Sequence, residues 1–377
     1  MEIYLDNAAT TRVCPEAAEM AYKVMTEEYG NPGSTHAKGR SARAILDRAR
    51  RQVAAPLGCP EKEIVFTSGG TESDNWALRG AAEALRRRGK HILSSAAEHD
   101  AVRRPLEMLA REGYEITLLS PDRSGAVSPE AVGAALREDT ILVSLMLVHN
   151  ETGAVTDIAA ISRLLRERGS AALLHTDAVQ GYLKLPFTAK GLGADLISLS
   201  GHKIHAPKGI GALCIRQGVK LPPLILGGGQ ENGLRSGTEP LPLIAAFGEA
   251  ARVGRAALPE AGPRMAGLRQ RCIDTLSAAI PDLAVLGGGA PHILSLSLPG
   301  YRSEVLMNAL ESRGIYVSKS SACKRGKRSH VLESMGVADR LIDGALRVSL
   351  SRYTTAEECD AFCDALLAAR RELRPSL

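Results

Sequence analysis

The sequence predicts an α/β protein whose large domain holds a mostly parallel sheet and whose small domain is of the α+β class. Apolar segments alternate with amphipathic ones through most of residues 1–250, which is typical of strands that alternate with helices. Several apolar segments are continuous, as expected for strands covered on both faces. After Gly254 the pattern changes. We therefore predict that residues 12–257 form the large domain, and that residues 1–11 and 258–377 form the small one.

Seven strands are predicted in the large domain, each a short run rich in Ile, Leu and Val. They are residues 63–66, 91–95, 115–120, 141–148, 171–176, 194–200 and 211–216. Helices are predicted between them. One example is residues 157–169, where Thr156 or Asp157 can cap the amino terminus and Gly169 follows the last turn.

The rest of the chain predicts the small domain. A long helical region is followed by short strands and by a last helix that begins at Thr354 or Thr355. The helical region and the strands are residues 259–279, 292–298, 314–318 and 346–351. We expect the amino-terminal segment to complete this domain.

Composition argues against several classes of protein. The excess of 47 basic over 42 acidic residues is small and spread along the chain, whereas a nucleic-acid-binding protein shows a concentrated basic face. The segment MEIYLDNAATTR lacks the basic and apolar regions of a signal peptide. No stretch approaches the roughly 18 apolar residues of a membrane span. We therefore expect a cytoplasmic protein that contacts neither nucleic acid nor membrane directly. Seven irregularly spaced cysteines favour reduced thiols over a disulfide framework.

Residues able to bind a ligand follow five of the predicted strands. In open α/β sheets, ligands bind beyond the carboxyl ends of the strands. One strand runs into a glycine turn at Gly69 and Gly70 and then into a helix, whose free N–H groups can hold a phosphate. The other four strands lead to His99, to Asn150, to Asp177 with Gln180, and to Ser200 through Lys203. Each residue alone has an ordinary structural explanation, but their coincidence at one edge favours a binding site.

This combination suits pyridoxal 5′-phosphate (PLP). PLP requires a lysine amine for a Schiff base, an acid for its pyridine nitrogen and an anion site for its phosphate. Lys203 supplies the amine, Asp177 the acid and the glycine turn the anion site. Because a glycine and an apolar strand flank Lys203, its amine loses part of its solvation, which favours the neutral, nucleophilic form.

Motifs across nearly the whole chain carry a family resemblance. In chain order they are LDNAATT, GNPGSTH, FTSGGTESDN, EH at 98–99, NETG, HTDAVQ, SGHKIHAPKGIGAL, RSGT, SSAC and LRVSLSRYTT. They resemble the cysteine desulfurases of class V of the PLP-dependent aminotransferases, in the branch that serves iron–sulfur cluster assembly and nitrogenase maturation. The resemblance implies a PLP-dependent transferase fold of the aspartate aminotransferase type, a homodimer, L-cysteine as substrate, and a sulfur-acceptor protein such as an iron–sulfur scaffold.

The resemblance also implies a role for each matching residue. Lys203 forms the Schiff base, Asp177 pairs with the pyridine nitrogen and Gln180 with the ring hydroxyl, while His99 stacks on the ring and takes part in catalysis. The residues implied to hold the phosphate are Gly70, Thr71, Ser200 and His202, with Thr238 reaching the phosphate bound by the neighbouring subunit. The residues implied to bind the substrate are Asn150 and Arg347, at its carboxylate, together with Asn7 and His36.

Cys323 is the cysteine that the resemblance assigns to sulfur transfer. It lies in SKSSACKRGKRSH, which has no apolar periodicity and surrounds the thiol with cations. Nearby cations favour the thiolate, although these residues alone are equally compatible with a spectator thiol in a solvated loop. The resemblance implies that Lys203 takes the α-proton of the substrate, and that Cys323 attacks the substrate sulfur and carries it as a persulfide.

Other cysteines have structural explanations. Cys214 lies in an apolar strand, so we expect it in the core. Cys359 and Cys363 are four residues apart on a predicted helix, a spacing that can bind metal. No second pair or nearby histidine accompanies them, so packing is favoured and no metal site is predicted.

Alternative functions remain open. A selenocysteine lyase or another class V transferase would share the PLP site, although the sequence SSAC favours a desulfurase. A sulfur-carrying protein without PLP chemistry is disfavoured because both Lys203 and Asp177 are present. The acceptor stays open between iron–sulfur cluster assembly and thio-cofactor or tRNA biosynthesis. The basic loop around Cys323 either meets an acidic partner or is simply solvated.

Overall fold

The structure, a computed structural model, describes residues 2–320 and 328–375. Its strands form a seven-stranded sheet, a four-stranded sheet and a two-stranded sheet. In chain order the strands are β1 Ile3–Tyr4, β2 Ile64–Thr67, β3 His91–Ser95, β4 Glu115–Leu119, β5 Thr140–Ser144, β6 Leu173–Asp177, β7 Leu196–Ser200, β8 Gly211–Ile215, β9 Ala284–Val285, β10 Ile293–Ser297, β11 Ile315–Tyr316, β12 Ser318–Lys319 and β13 Ala345–Ser349. Cys323 lies outside the described residues.

The seven-stranded sheet has the order β2-β8-β7-β6-β5-β3-β4. All of its pairings are parallel except those that β8 makes with β2 and β7. The prediction of a mostly parallel sheet is therefore confirmed. Because β8 runs opposite to both of its neighbours, β2 and β7 point the same way. The carboxyl ends of β2, β3, β5, β6 and β7 consequently meet at one edge.

Alternate residues of these strands reach opposite faces of the sheet. Phe66, Leu93, Val143 and Ile197 belong to one buried cluster, and their chain neighbours Val65, Ile92, Leu142 and Leu196 belong to another. Both faces are covered, which explains why the strands are continuous apolar runs in the sequence.

Helices pack on both faces of the seven-stranded sheet. The described α-helices are α1 Pro15–Thr26, α2 Ala37–Leu57, α3 Gly70–Leu85, α4 Asp100–Arg111, α5 Pro129–Ala135, α6 Ile158–Glu167, α7 Ala189–Leu192, α8 Leu241–Ala279, α9 Ser303–Glu311, α10 His330–Ser334, α11 Asp339–Asp343 and α12 Ala356–Glu372. Asp157 caps α6 by accepting a hydrogen bond from the N–H of Ala160, and Thr355 caps α12 in a capping box with Glu358. No helix among the described residues has both the length and the apolar sequence needed to cross a membrane.

The carboxyl-terminal part of the chain builds a second, antiparallel sheet in the order β12-β13-β10-β9, while β1 pairs in parallel with β11. Helix α8 runs towards this part without a break, and the predicted boundary at residues 257/258 lies inside it. Leu241–Ala251 contribute to the cluster on the large sheet, whereas Met265 and Leu276 contribute to a separate cluster with β10 and β13. This change of cluster supports the predicted division into domains, which stays a prediction.

Candidate active site

A glycine turn and a helix amino terminus form an anion-binding cradle at the carboxyl end of β2. Helix α3 begins at Gly70, so its first N–H groups are free to bind an anion. A Cβ atom at Gly70 would lie 2.7 Å from Cγ2 of Val179, so the close approach at this position requires glycine. A cavity of about 390 Å³ opens here. The four residues predicted to hold phosphate all line it, namely Gly70, Thr71, Ser200 and His202.

Lys203 is the neighbour of the cavity-lining His202, in the turn Gly201–Lys203 that follows β7. Its Nζ donates hydrogen bonds to the carbonyls of Ala8, at 2.7 Å, and Ala9, at 2.6 Å. Nε2 of Gln180 donates to the same Ala8 carbonyl at 2.8 Å. The amino-terminal segment therefore crosses the edge of the large sheet and brings Lys203 and Gln180 to one point.

His202 links the same segment to the cradle. Its Nδ1 lies 3.1 Å from the hydroxyl of Thr10, and its carbonyl accepts a hydrogen bond from Thr11 at 2.9 Å. Burial, with smaller contributions from the positive charges of Lys203 and Lys208, lowers the pKa of His202 to about 4. The ring is therefore neutral at physiological pH and can accept or donate a hydrogen bond towards the cavity.

Asp177 is the last residue of β6 and is 5% exposed. Its Oδ1 accepts a hydrogen bond from the N–H of Val179 at 2.9 Å. Burial and then the nearby Asp74 raise the pKa of Asp177 to about 7, against the opposing effects of the Val179 N–H, His99 and His175. A nearby cation would stabilise the ionised form of such a buried acid. A protonated pyridine nitrogen is such a cation.

Two further buried acids accompany Asp177, and neither was proposed from the sequence. Burial raises the pKa of Asp74, on α3, to about 7 and that of Glu98, before α4, well above its usual value. Oε1 of Glu98 accepts a hydrogen bond from the N–H of Met146 at 2.8 Å. His175 lies among them, bonded to the hydroxyls of Ser144 and Ser198. Asp74 and Glu98 each lie next to other polar residues in the sequence, so no local pattern marks this cluster.

His99 caps α4. Its Nδ1 accepts a hydrogen bond from the N–H of Ala101 at 3.1 Å, so in the neutral ring the proton resides on Nε2. The cap holds the imidazole at the carboxyl edge of the sheet and leaves Nε2 as a donor for a bound molecule.

Arg347 approaches from β13 and is 2% exposed. Its Nη2 lies 2.8 Å from Oδ1 of Asp6, and its Nη1 donates to the backbone carbonyl of Asn150 at 3.0 Å. Nε has no hydrogen-bond partner among the described residues. A buried, anchored guanidinium with an unmatched N–H suits a carboxylate ligand. Asn150 thus meets Arg347 through its main chain, a contact that the sequence did not predict.

Three other residues predicted to bind substrate or cofactor, Asn7, His36 and Thr238, do not all lie at the cavity beside Gly70. Both amide hydrogens of Asn7 are donated, to the carbonyls of Tyr4 and Ser349, so Oδ1 is the atom left for a ligand. His36 caps α2 and is exposed, and Thr238 is exposed between β8 and α8. Neither His36 nor Thr238 is among the described residues that line the cavity at Gly70. A single chain therefore brings most, but not all, of the predicted residues together.

The predicted cysteines other than Cys323 occupy structural positions. Cys214 is buried in β8. Cys359 and Cys363 are buried on α12 and belong to the same hydrophobic cluster as Cys272. Packing therefore accounts for their spacing.

These residues fit PLP. The cradle offers helix N–H groups to its phosphate, Asp177 is a buried acid that a cation would stabilise, and Lys203 follows β7 at the same edge of the sheet. The class-V aminotransferase model matches residues 3–362, and the chain belongs to this family. The family is one of PLP-dependent enzymes.

Relatives of known name agree with this assignment. The chain is 41% identical over 377 residues to cysteine desulfurase IscS of Methanosarcina thermophila, covering 99% of this chain and 93% of the relative. It is 44% identical over 370 residues to cysteine desulfurase IscS of Escherichia coli O139:H28, covering 96% and 90%. A solved structure described as a NifS-like protein superposes with a TM-score of 0.93 at 38% identity, covering 99% of this chain and all of that one. The predicted PLP-dependent transferase fold is confirmed.

Replacement of Asp177 by asparagine should stabilise the PLP-free protein at neutral pH and weaken PLP binding. The folded-state pKa of about 7 lies above the unfolded value of about 3.9. The stability contributed by the bound proton is therefore complete below pH of about 4 and is lost as the pH rises through 7. An asparagine side chain cannot ionise, so the variant should avoid a cost of up to about 4 kcal/mol at pH 8. Urea unfolding from pH 4 to 8 measures this.

Glu151→Gln is the matched control for this experiment. Burial also raises the pKa of Glu151 to about 7, so its substitution should flatten the pH dependence of unfolding in the same way. It should leave the PLP absorption spectrum and the affinity for PLP unchanged. Equal loss of PLP binding in both variants would contradict a specific role for Asp177.

Proposed function

We propose that this protein is a cysteine desulfurase that binds PLP, converts L-cysteine to L-alanine and carries the released sulfur as a persulfide on Cys323. The observation that carries the proposal is the meeting of Lys203, Asp177 and the Gly70 cradle at one edge of the sheet. The chain is also 41–44% identical to relatives named cysteine desulfurase over nearly its whole length.

Residues of the large sheet would hold PLP. Lys203 would bind it covalently, and the cradle at Gly70, Thr71, Ser200 and His202 would hold its phosphate. Asp177 would keep a proton on the pyridine nitrogen, Gln180 would contact the ring hydroxyl and His99 would lie on the ring face. When bound, PLP supplies an electron sink that stabilises negative charge at the α-carbon of an amino acid.

Arg347 orients the substrate in this proposal. Its ion pair with Asp6 and its bond to the Asn150 carbonyl hold the guanidinium in one position, and its Nε is unmatched among the described residues. Binding of the cysteine carboxylate at this end directs the α-carbon towards Lys203, which moves the α-proton.

Cys323 completes the reaction. Its thiolate attacks the sulfur of the substrate, so a new S–S bond forms and the Cβ–S bond of the substrate breaks. The electron pair left on the substrate carbon takes up a proton, and the product is alanine. One thiol and one cysteine thus give one persulfide and one alanine, with no other reductant. The cations near Cys323 in the sequence favour the thiolate.

We also propose that the enzyme works as a homodimer in the cytoplasm and passes its sulfur to an acceptor protein, such as an iron–sulfur scaffold. Helix α1 exposes Tyr22 and Met25, and Tyr29 is exposed just beyond its end. Exposed large apolar side chains of this kind are typical of protein contacts. Thr238 is likewise exposed, so it is available to a second subunit.

Replacement of Arg347 by lysine should raise the KM for cysteine by about tenfold or more, with a smaller change in kcat. Lysine keeps the positive charge but lacks the planar set of N–H groups that matches a carboxylate. A tenfold change corresponds to about 1.4 kcal/mol of binding. Steady-state kinetics measure this, with Arg50→Lys as the control because Arg50 is a partly buried arginine that is also paired with an acid, Glu231 at 2.6 Å. An unchanged KM in Arg347→Lys would contradict the proposed role.

The direct test is incubation of the PLP-loaded protein with L-cysteine. Alanine and sulfide should appear together in the presence of a thiol reductant. Without it, mass spectrometry should find one added sulfur on the peptide that contains Cys323. Parallel turnover of selenocysteine separates the two related activities, since a lyase acts almost entirely on the selenium substrate. Pyruvate or a keto-acid-dependent product in place of alanine would refute the desulfurase assignment.

A further inference from the structure

Cys59, Glu63 and Cys214 converge at the end of the large sheet remote from the cradle. Cys59 follows α2, Glu63 ends the short turn Glu61–Glu63 before β2, and Cys214 lies on β8. The two Sγ atoms and a carboxylate oxygen of Glu63 all lie within 4.8 Å of one another. Cys214 is separated from the other two by about 150 residues of sequence, which is why the cysteine spacing did not predict this cluster.

The distance between the two sulfurs matches a metal site. Sγ of Cys214 lies 3.9 Å from Sγ of Cys59. Two sulfurs bound to one tetrahedral zinc, at about 2.3 Å each, are about 3.8 Å apart. A disulfide instead requires a separation of about 2.05 Å. The pair is therefore spaced for a shared cation rather than for a covalent bond.

The cluster is also held in place and accessible. Oε1 of Glu63 accepts a hydrogen bond from the N–H of Gln217 at 2.9 Å, and Cys214 is fixed in the ladder opposite Ile64. All three residues line a cavity of about 590 Å³, and Cys59 is partly exposed. The cavity gives a route for an ion and room for a water as the fourth ligand.

The charges at the site can also be balanced. Binding of a divalent cation by the two thiols would release their protons. Two thiolates and a carboxylate around such a cation leave one negative charge. Arg166 and Lys190 line the same cavity and can balance that charge, while Arg216 there is paired with Asp195.

We propose that Cys59, Glu63 and Cys214 form a binding site for a divalent cation that prefers thiolate ligands, such as zinc. Sulfur ligands select zinc over magnesium or calcium. By strand register the site lies three residues from the Thr67–Gly211 pair, or about 10 Å at about 3.3 Å per residue. The cation would join the segment before β2 to β8 and would not touch the reacting molecules.

Cobalt(II) titration of the full-length, PLP-loaded protein tests this site. Cys323→Ser is used as the parent, so that the thiol assigned to sulfur transfer cannot bind the metal. We expect one equivalent of cobalt with the visible bands of tetrahedral thiolate ligation, and displacement of that cobalt by zinc. Added zinc should also raise the melting temperature of the parent.

Single substitutions test whether the cobalt binds at these three residues or non-specifically elsewhere on the protein. Cys59→Ser and Cys214→Ser should each abolish the cobalt bands, and Glu63→Gln should weaken binding by about tenfold or more. Glu61→Gln is the matched control, because Glu61 lies on the same turn and instead faces Arg51 at 3.5 Å. It should bind cobalt like the parent. Cys59 is partly exposed, so its variant should fold even if the substitution at buried Cys214 does not.

Three results would overturn the proposal. The parent could bind no stoichiometric cobalt, the bands could survive Cys59→Ser, or the parent exposed to oxygen, as the oxidant, could form a Cys59–Cys214 disulfide by mass even with zinc present. In the chain with native Cys323, Cys59→Ser should leave cysteine turnover unchanged. The result at this site is therefore independent of the desulfurase assignment.

Discussion

Replacement of Lys203 by alanine is expected to reduce cysteine turnover by at least about 10²–10⁴-fold, the usual contribution of a positioned general acid or base. The physical reason is that one amine has two roles, as the covalent attachment for PLP and as the group that moves the α-proton. Its Nζ is held at 2.7 Å from the Ala8 carbonyl and 2.6 Å from that of Ala9, beside the phosphate cradle.

Two measurements check this expectation. Borohydride reduction followed by mass spectrometry should fix PLP to the peptide that contains Lys203 in the wild-type protein and to no peptide in Lys203→Ala. The control is Lys208→Ala, because Lys208 lines the same cavity but is not assigned a covalent role. Lys208→Ala should weaken PLP binding modestly and keep the covalent link. If both variants lost activity equally, catalysis would require positive charge in the cavity rather than the amine of Lys203 in particular.

Replacement of Cys323 by alanine is expected to abolish persulfide formation and cysteine-dependent sulfide release while leaving the PLP spectrum intact. Lys203 and Asp177 would still bind PLP and cysteine, because these residues belong to the large sheet. Without the thiolate, the substrate sulfur has no nucleophile to accept it, so the Cβ–S bond does not break. The PLP-loaded variant should therefore still bind cysteine without consuming it, as seen by absorption spectroscopy.

Cys59→Ser is the control for Cys323→Ala. Cys59 is partly exposed, whereas the other described cysteines are buried. Its substitution therefore tests whether accessibility alone allows a thiol to accept sulfur. It should support normal turnover. Full desulfurase activity in Cys323→Ala, or an added sulfur on Cys59 in the wild-type protein, would refute the assignment of sulfur transfer to Cys323. Full activity of Cys323→Ala with a keto acid as co-substrate would instead indicate an aminotransferase.

Much of the site could be predicted because its residues follow strands. Lys203 comes directly after β7, Asp177 ends β6 and His99 follows β3, and parallel strands must place these carboxyl ends together. The glycine turn at Gly70 could be predicted for the same reason. Continuous apolar runs predicted the covered sheet, and the structure explains them through clusters on both faces.

Other parts of the site depended on contacts between distant segments. Asp74 and Glu98 carry no local signal of a shared function, yet both lie near enough to Asp177 to influence its surroundings electrostatically. Arg347 was predicted as a carboxylate-binding residue, but its anchors, Asp6 and the carbonyl of Asn150, lie 341 and 197 residues away in the chain. Burial also decides the protonation of these groups, and burial is a property of the packed molecule.

The sequence by itself determined the α/β class, the run of strands and helices, and the residues that end those strands. These features depend on periodicity, capping and strand direction, which are encoded over a few neighbouring residues. Only the tertiary structure decided that Ala8 would meet Lys203, that three acids would share one buried region, and that Cys59 would meet Cys214. Such pairings follow from how whole elements pack, because side chains far apart in the chain interact only after the backbone has brought them within a few ångströms.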